Sequence, residues 1–319
     1  MKKLLVICGP TATGKTSLGI SLAKKFKGEI ISGDSRQVYQ KMDIGTGKDI
    51  PKGAVYKTNN NKTGGYYEVS DIRIWGYDLV SPKEEFSVAQ YTKIAREVIK
   101  DIHKRNKLAI LVGGTGFYIK SVVEGIDTVE IPQNKALRKN LKILPKDELF
   151  EKLAILDSSK AGSLNQSDIK NPRRLMRAIE IAIWRLDNMG TTIRNEKLDY
   201  DTFFIGLSLP ETILFEKIKR RVFERVNGVK EEISSLLKSG VEWSAQAMSS
   251  FGYKQWKDYF EGTKTEKEVV DKWLLEENQY SKRQITWFKK SQFINWIDIT
   301  NPNWKENVEK LVKKWYSSD

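Results

Sequence analysis

The sequence predicts an α/β protein whose core is a doubly wound parallel sheet with a phosphate-binding loop (P-loop), interrupted by a helical insertion domain. In the first third of the 319 residues, short apolar runs alternate with amphipathic helical patterns, as expected for buried parallel strands joined by helices. A glycine-rich loop directly follows the first apolar run. From Val122 to about residue 200 the pattern is helical and highly charged, without a clear strand.

The spacing of apolar residues predicts the elements of the first third. Apolar runs predict buried strands at residues 4–8 and 108–112, and a further short strand is predicted at residues 29–32. Helical spacing predicts a helix over residues 16–26. A second helix begins at a capping box, in which Ser87 is followed three residues later by Gln90. The polar stretch 53–71, with its Asn and Gly pairs, predicts a long surface loop or hairpin.

After the helical stretch the chain returns to the α/β pattern. Within that stretch, Asn171 followed by Pro172 predicts the start of a helix. Two further strands are predicted at residues 202–209 and 294–299, with helices at 212–226, 230–238 and 264–290. We therefore predict a P-loop catalytic core with C-terminal helices, formed by residues 1–121 and 200–319, and a helical insertion over residues 122–199.

The charge balance favours a polyanionic partner. Lys and Arg number 55 and Asp and Glu 41, which gives a net charge of +14 and suits nucleic acid or a phosphorylated substrate. The alternative is a basic surface with no special partner. No apolar run is long enough to cross a bilayer, and the N-terminal run is too short for a signal peptide. We therefore predict a cytoplasmic protein without a membrane or an obligate protein partner.

The single cysteine, Cys8, and the single histidine, His103, exclude several classes of site. They allow no intrachain disulfide and no zinc site built from Cys and His. Proton transfer near neutral pH must therefore use carboxylates or unusual Lys and Tyr groups. We expect Cys8 to be a buried strand residue and His103, in a polar stretch, to be exposed.

A phosphate-loop pattern, G-x-x-x-x-G-K-[ST], is matched at every position by residues 9–16, between an apolar strand and an amphipathic helix. Glycines let the backbone turn its N–H groups toward an anion, and the following helix adds its positive dipole end. Lys15 would supply a point charge, and Thr16 a hydroxyl ligand for Mg²⁺. The predicted di- or triphosphate site comprises Gly9, Pro10, Thr11, Ala12, Thr13, Gly14, Lys15 and Thr16.

An acidic residue after a second strand is the candidate for the chemistry. A nucleotide-hydrolysing P-loop enzyme normally carries an aspartate at the end of another strand, but the 108–112 run ends in Gly113-Gly-Thr-Gly116. The second predicted strand does lead to an acid, Asp34. Because the carboxyl ends of parallel strands line one crevice, Asp34 should lie beside the phosphate loop, where it could act on an acceptor nucleophile. The alternative for Asp34 is a turn or a helix cap.

A series of motifs, in chain order, resembles those of the tRNA dimethylallyltransferases. Besides the phosphate loop they are Ile30-Ile-Ser-Gly-Asp34-Ser-Arg-Gln37-Val-Tyr39, Met42-Asp-Ile-Gly-Thr-Gly-Lys48, Glu85-Phe-Ser-Val-Ala89, Leu111-Val-Gly-Gly-Thr-Gly-Phe-Tyr118, Asn171-Pro-Arg-Arg-Leu-Met-Arg-Ala178, Phe251-Gly-Tyr253 and Lys282-Arg-Gln-Ile-Thr-Trp287. The resemblance extends from residue 9 to about residue 290. The chain departs from the family pattern at Asn171 and Asn278, where the family has an acid and an arginine. It also has a longer 53–71 stretch and lacks a histidine pair near Trp75.

The resemblance implies transfer of a dimethylallyl group from dimethylallyl diphosphate to the exocyclic amine of the adenosine just 3′ of the anticodon in tRNA, with Mg²⁺ as cofactor. It implies Asp34 as the base, Thr115 at the reaction centre and Arg221 on the diphosphate, with Arg220 as a rival because the match there is loose. The implied contacts to the tRNA anticodon loop are Asp34, Ser35, Arg36, Gln37, Gly116, Arg173, Arg174, Arg177, Lys282, Arg283 and Gln284. Trp287, in the last motif, is expected to belong to the core.

Two other functions stay open from the residues themselves. An ATP-dependent small-molecule kinase would bind ATP in the same loop, but the missing acid after the 108–112 strand disfavours it. A non-catalytic RNA-binding protein with a relic loop is disfavoured by the intact Lys15 and Thr16 together with Asp34. The three arginines at 173, 174 and 177 lie at helical spacing, so they either meet RNA phosphates or form a solvated helix face.

Overall fold

The computed structural model describes residues 2–59, 63–128, 131–189 and 199–318. The chain divides into two compact units, the first formed by Met1–Glu124 with Lys197–Asp319 and the second by Gly125–Glu196. The boundaries predicted from the sequence are 121/122 and 199/200. In these described ranges, no helix combines the length and the apolar character that crossing a membrane requires.

A single mixed sheet organises the described residues of the first unit. Its strands are β1 (Lys3–Cys8), β2 (Gly28–Ser32), β3 (Val55–Lys57), β4 (Tyr66–Val69), β5 (Ile72–Trp75), β6 (Leu108–Val112), β7 (Asp201–Ser208) and β8 (Ile294–Asp298). Across the sheet the order is β3-β4-β5-β2-β6-β1-β7-β8. From β5 to β8 in this order neighbours are parallel, whereas β3 and β4 extend one edge as antiparallel strands. The predicted α/β class with a parallel core is confirmed.

Helices connect these strands and form the second unit. In chain order the α-helices of the described residues are α1 (Lys15–Lys25), α2 (Val88–Lys104), α3 (Gly116–Val123), α4 (Lys135–Leu141), α5 (Lys146–Leu156), α6 (Ser158–Gly162), α7 (Gln166–Ile169), α8 (Pro172–Asp187), α9 (Glu211–Lys238), α10 (Lys257–Phe260), α11 (Glu266–Phe288) and α12 (Trp304–Tyr316). Two short 3₁₀ turns lie at Ala247–Ser249 and Lys254–Trp256.

Helices cover both faces of the sheet, so that β1 is buried on each side. Leu5 and Ile7 of β1 share one apolar cluster with residues of α1 and α12. Leu4, Val6 and Cys8 alternate with them and share a second cluster with residues of α2, α9 and α11. Since side chains of a strand point alternately to opposite faces, this division is that of a doubly wound sheet. Cys8 is buried, as predicted.

Several predicted elements differ from the observed ones in extent. The two helices expected at 212–226 and 230–238 form one helix, α9, which passes through Gly228; a Cβ there would approach Cδ1 of Ile44 to 2.8 Å. Close packing, rather than a break, explains this glycine. The 53–71 stretch contributes the β3–β4 hairpin, and the sequence prediction lacked both β5 and α12.

The second unit is helical throughout its described residues. Helices α5 and α8 pack around a small core that includes Leu149, Leu153, Leu175 and Ile179. Helix α8 begins as predicted, because the Asn171 side chain accepts from the N–H groups of residues 173 and 174 and proline occupies the first turn.

His103 is half-buried, so the expectation that it is exposed was wrong. It lies on α2 where that helix passes the start of β1, and its Nε2 is 2.9 Å from the carbonyl oxygen of Lys3. Within the described residues its buried Nδ1 has no hydrogen-bond partner. Burial lowers the pKa of His103, and the contact with Lys3 only partly opposes this.

Candidate active site

The phosphate loop runs from the end of β1 to the start of α1. Two glycines make its path possible. Gly9 has φ of 135° and comes so close to β7 that a Cβ would lie 2.6 Å from the carbonyl oxygen of Leu207, and Gly14, with φ of 78°, directly precedes α1. The Thr13 hydroxyl donates to the carbonyl of Pro10 at 2.9 Å and closes the turn. The loop therefore leads the chain into the helix whose N-terminal amides are unsatisfied donors.

Lys15 lies folded back along this loop. Its ammonium group donates to the carbonyl of Pro10 at 2.6 Å. Burial lowers the pKa of Lys15 to about 8, and the positive charge of Arg221 adds to the effect, while Asp49 and Asp34 oppose it. Lys15 and Arg221 therefore bring two cationic side chains to the phosphate loop, which favours a bound anion.

Arg221 reaches the phosphate loop from α9. Its Nη1 donates to the Thr11 hydroxyl at 2.8 Å, and its Nη2 donates to the carbonyl of Gly47 at 2.5 Å. Arg220, its neighbour, has a side chain that is 81% exposed and pairs with Glu224. Both line the same cleft. Only Arg221 contacts the loop, which distinguishes the two arginines that the sequence left as rivals.

The ends of β2 and β6 complete a cleft of about 690 Å³ beside the phosphate loop. The two strands are paired up to Ser32 and Val112, so the residues that follow them are neighbours. Asp34 follows β2 and Thr115 follows β6, and both line the cleft together with Lys15 and Arg221. The Thr115 hydroxyl accepts from the N–H of Ser35 at 3.1 Å, and the Asp34 carboxylate accepts from the N–H of Arg36 at 2.9 Å.

Tyr280 of α11 is a cleft residue that the sequence reasoning missed. Burial, and next to it the charge of Asp34, raise the pKa of Tyr280 to about 12, with a hydrogen bond to Thr115 in partial opposition. Its ring packs against that of Phe251, with centroids 5.2 Å apart. Helical spacing could have located it in the sequence, because Tyr280 precedes the motif residue Gln284 by four positions and therefore shares its helix face.

Gln284 was predicted to contact tRNA, but the structure directs its amide to protein backbone. It is only 5% exposed. Its Oε1 accepts from the N–H of Thr11 at 3.0 Å, and its Nε2 donates to the carbonyl of Gly114 at 2.9 Å. It therefore ties the phosphate loop to the loop after β6.

Helix α9 also fixes the loop of residues 43–47 above the cleft. The Glu232 carboxylate accepts from three successive backbone N–H groups, those of Asp43, Ile44 and Gly45, at 2.8–3.0 Å. Arg225 donates to the carbonyl of Gly45 at 3.1 Å and to the buried carboxylate of Glu277 at 2.8 Å. A loop held in this way presents Asp49, immediately downstream, in a defined position.

The other residues of the first unit that were predicted to contact tRNA differ in burial and in their partners within the protein. Gln37 is buried and accepts from the Ser32 hydroxyl at 3.1 Å, whereas Arg36 donates to the Ser249 hydroxyl at 3.3 Å. Ser35 lies in the cleft wall. On α11, Lys282 is ion-paired with Glu211, and Arg283 is exposed with its guanidinium 5.8 Å from the Tyr280 ring centroid.

The three predicted arginines of the second unit have different environments on α8. Arg177 donates to the Glu180 carboxylate at 2.5 Å and to the carbonyls of Thr128 and Ile131 at 2.7 and 2.9 Å. Arg174 pairs with Asp168. Arg173 is exposed, and in the described part of the chain no side-chain partner is found for it.

Trp287 was expected in the core, but it is 41% exposed. Its ring lies against the backbone of Gly116, where a Cβ would come within 2.0 Å of it. It also packs edge-to-face with Phe117, with centroids 6.5 Å apart. The α3 start leaves room for the indole at the surface, so the indole covers backbone instead of filling the interior.

The residues present are compatible with Mg²⁺ beside a bound phosphate, but not with a metal held by protein alone. Among the described residues, no group of three or more His, Cys, Asp or Glu side chains could hold a metal ion. The Thr16 hydroxyl lines the cleft at the start of α1. Mg²⁺ commonly takes one or two protein oxygens and fills its shell with substrate phosphates and water, and Thr16 fits this role.

Comparison with known proteins identifies the family. The sequence model described as IPP transferase matches residues 37–291, and that described as isopentenyl transferase matches residues 2–59. The chain belongs to the IPP transferase family. Its relatives include two proteins named tRNA dimethylallyltransferase. That of Caldanaerobacter subterraneus subsp. tengcongensis is 37% identical over 97% of this chain and 96% of its own length, and that of Anoxybacillus flavithermus is 37% identical over 94% and 91%.

Solved structures with the IPP transferase fold match nearly the whole chain. The tRNA isopentenylpyrophosphate transferase of Bacillus halodurans has a TM-score of 0.71 at 31% identity, covering 99% of this chain and 97% of that one. A eukaryotic dimethylallyltransferase acting on tRNA has a TM-score of 0.76 at 23% identity, covering 98% of this chain and 78% of that one. The second match supports the fold alone, and the predicted family is confirmed.

Proposed function

We propose that this protein transfers a dimethylallyl group from dimethylallyl diphosphate to the N6 amine of the adenosine 3′-adjacent to the anticodon in tRNA, releasing diphosphate. The observation that carries the proposal is one cleft in which a phosphate loop, Lys15 and Arg221 face the Asp34 and Thr115 that follow neighbouring strands. Relatives named tRNA dimethylallyltransferase, similar over nearly their whole length, support the same reaction.

The leaving-group side of the cleft is cationic. As the allylic carbon–oxygen bond breaks, negative charge builds on the diphosphate, and preorganised donors stabilise it most where that charge develops. Lys15 and Arg221, which both contact the phosphate loop, and the N-terminal amides of α1 would supply these donors. Mg²⁺ held at Thr16 would add a further positive charge on the phosphate oxygens.

The acceptor side needs a base, because the attacking amine forms a carbon–nitrogen bond and must lose a proton. We assign this proton to Asp34 and assign Thr115 to holding the reaction centre, since its hydroxyl already orders Ser35 next to Asp34. An enzyme that modifies a base edge in an RNA loop must splay that base out of its stack. Asp34 and Arg36 line the cleft, whose volume of about 690 Å³ offers room for such a base.

Contacts to the rest of the tRNA would come from basic side chains. Arg173 of the second unit and Arg283 of the first are exposed and can reach phosphates or bases. The net charge of +14 supports binding to a polyanion. Gln284 and Arg177, by contrast, act within the protein and would affect tRNA only through the parts that they hold.

An ATP-dependent small-molecule kinase is the alternative, and the relatives do not favour it. The two functions separate in one experiment, in which tRNA is incubated with the protein and either dimethylallyl diphosphate or ATP and then digested for mass analysis. We expect one five-carbon dimethylallyl unit on the adenosine next to the anticodon with the first donor and no change with ATP. If tRNA stayed unmodified with dimethylallyl diphosphate at every concentration in a series of Mg²⁺ concentrations, the proposal would be contradicted.

A further inference from the structure

Asp49 is an acidic residue of the cleft wall that lies outside the motifs identified in the sequence. Its carboxylate is directed between two groups of the phosphate site. Oδ2 lies 3.5 Å from the Thr16 hydroxyl oxygen, and Oδ1 lies 3.4 Å from Nη2 of Arg221. The side chain is 54% exposed, so both oxygens remain accessible to a bound ligand.

A carboxylate in this position opposes the binding of a diphosphate, because like charges repel strongly in a partly desolvated cleft. Two other acids of the cleft wall are already balanced by close partners: Glu277 by Arg225 and Glu224 by Arg220, each at 2.8 Å. The Asp49–Arg221 distance is longer than a normal charge-assisted hydrogen bond. Asp49 therefore keeps most of its capacity to accept a further positive partner.

A divalent cation between Asp49 and the diphosphate would attract both the carboxylate and the phosphate oxygens and so offset their repulsion. We propose that Asp49 is a second protein ligand, beside Thr16, for the Mg²⁺ that accompanies the diphosphate. Oxygen ligands of one Mg²⁺ lie roughly 3 to 4 Å from each other, which the Thr16–Asp49 pair already satisfies. The proposal rests on the proposed function only in taking diphosphate as the bound anion.

Titration calorimetry with inorganic diphosphate, without and with Mg²⁺, tests this assignment in the absence of tRNA and of any prenyl donor. The quantity compared between variants is the factor by which Mg²⁺ increases the affinity for diphosphate. We expect Asp49→Asn to reduce this factor about tenfold, in the range typical for partners of a metal site. The affinity without Mg²⁺ should stay constant or increase, because a like charge has been removed.

Glu224→Gln is the matched control, since it removes the same charge from the same cleft wall but leaves Thr16 and Asp49 untouched; it should keep the wild-type factor. Asp49→Glu, which retains a carboxylate, should keep more of the factor than Asp49→Asn. Electron paramagnetic resonance of Mn²⁺ with diphosphate present gives a second measurement. The dissociation constant of Mn²⁺ should be about tenfold higher for Asp49→Asn than for the wild-type protein.

The measurements decide whether Asp49 is a metal ligand or only a counter-ion of Arg221. An unchanged Mg²⁺ factor in folded Asp49→Asn would overturn the metal assignment and leave Asp49 as a counter-ion of Arg221. The same conclusion follows if Asp49→Asn and Glu224→Gln lower the factor equally. Wild-type protein that binds no diphosphate would contradict both this assignment and the proposed function, whereas failure at Asp49 alone leaves the proposed function intact.

Discussion

The side chain of Gln284 accepts the backbone N–H of Thr11 at 3.0 Å, so a helix from the far end of the chain holds the phosphate loop. The same amide donates to the carbonyl of Gly114, one residue before Thr115. Since the Gln284 side chain is buried, its two contacts fix the separation between the loop for the leaving group and the residue proposed at the reaction centre.

Gln284→Leu should therefore loosen the active site as well as destabilise the fold. The substitution leaves the Thr11 N–H and the Gly114 carbonyl without their partner, which costs about 1–3 kcal/mol in free energy of unfolding. Affinity for inorganic diphosphate should also fall. Denaturant unfolding and calorimetric titration measure the two effects. Gln279, exposed on the same helix, supplies the control substitution Gln279→Leu, and equal behaviour of the two variants would contradict the role of Gln284.

Elements with strong local signals could be predicted from the sequence. The capping box at Ser87 forms with both of its hydrogen bonds, and Asn171 caps α8. The parallel core of the sheet follows from the same logic, because buried runs alternate with helices. At the cleft, Lys15, Thr16 and Asp34 could be located since each stands at the carboxyl end of a strand or at the helix start that follows it.

What could not be predicted depends on contacts distant in sequence. Gln284 and Arg177 have the residue types of nucleic-acid ligands, and only their tertiary partners show that they bind backbone of this protein. Trp287 has the apolar character of a core residue, yet the space above Gly116 lies at the surface. No recognised sequence motif includes Asp49. Its proposed role follows from its proximity to Thr16 and Arg221, which are 33 and 172 positions away in the sequence.

Diphosphate binding should weaken as the pH rises above about 8. In the ligand-free site the pKa of Lys15 is about 8 because of burial and of Arg221, so Lys15 loses its proton as the pH passes that value. A bound anion favours the charged form and raises this pKa, so binding at pH 8.5 must take up a proton. Calorimetry in buffers of different ionisation enthalpy measures the uptake.

Lys15→Arg is the reference for that measurement, since arginine stays charged throughout this range and any proton exchange in its titration belongs to the diphosphate itself. The wild-type protein should take up more protons than Lys15→Arg at pH 8.5 and equally many at pH 6.5. Equal uptake at both pH values would show that Lys15 is already fully protonated in the free site.

Arg173 and Arg177 should contribute to tRNA binding in different ways, although both were predicted from one motif. Arg173 is exposed, so Arg173→Ala should reduce the slope of log affinity against log salt by about 0.7 to 0.9 if it neutralises one phosphate. Arg177 holds the carbonyls of Thr128 and Ile131, so Arg177→Ala should lower the melting temperature instead. Binding curves at several salt concentrations, together with thermal melts, test this division. If Arg173→Ala lowered the melting temperature and Arg177→Ala reduced the salt slope, α8 would have to rearrange when tRNA binds.

Asp34→Asn should abolish most of the catalytic rate while leaving the site intact. His103, the single histidine, contacts Lys3 at the start of β1, whereas the cleft lies where β2 and β6 end. We therefore assign the amine proton to the Asp34 carboxylate. Asparagine keeps an oxygen for the N–H of Arg36, which Asp34 now holds at 2.9 Å, but it has no basicity. Since general-base catalysis contributes about 10²–10⁴ in rate, the single-turnover rate should fall by that factor, with affinity for tRNA and for inorganic diphosphate little changed. A near wild-type rate would remove Asp34 from proton transfer, and a loss confined to tRNA affinity would make it a recognition residue.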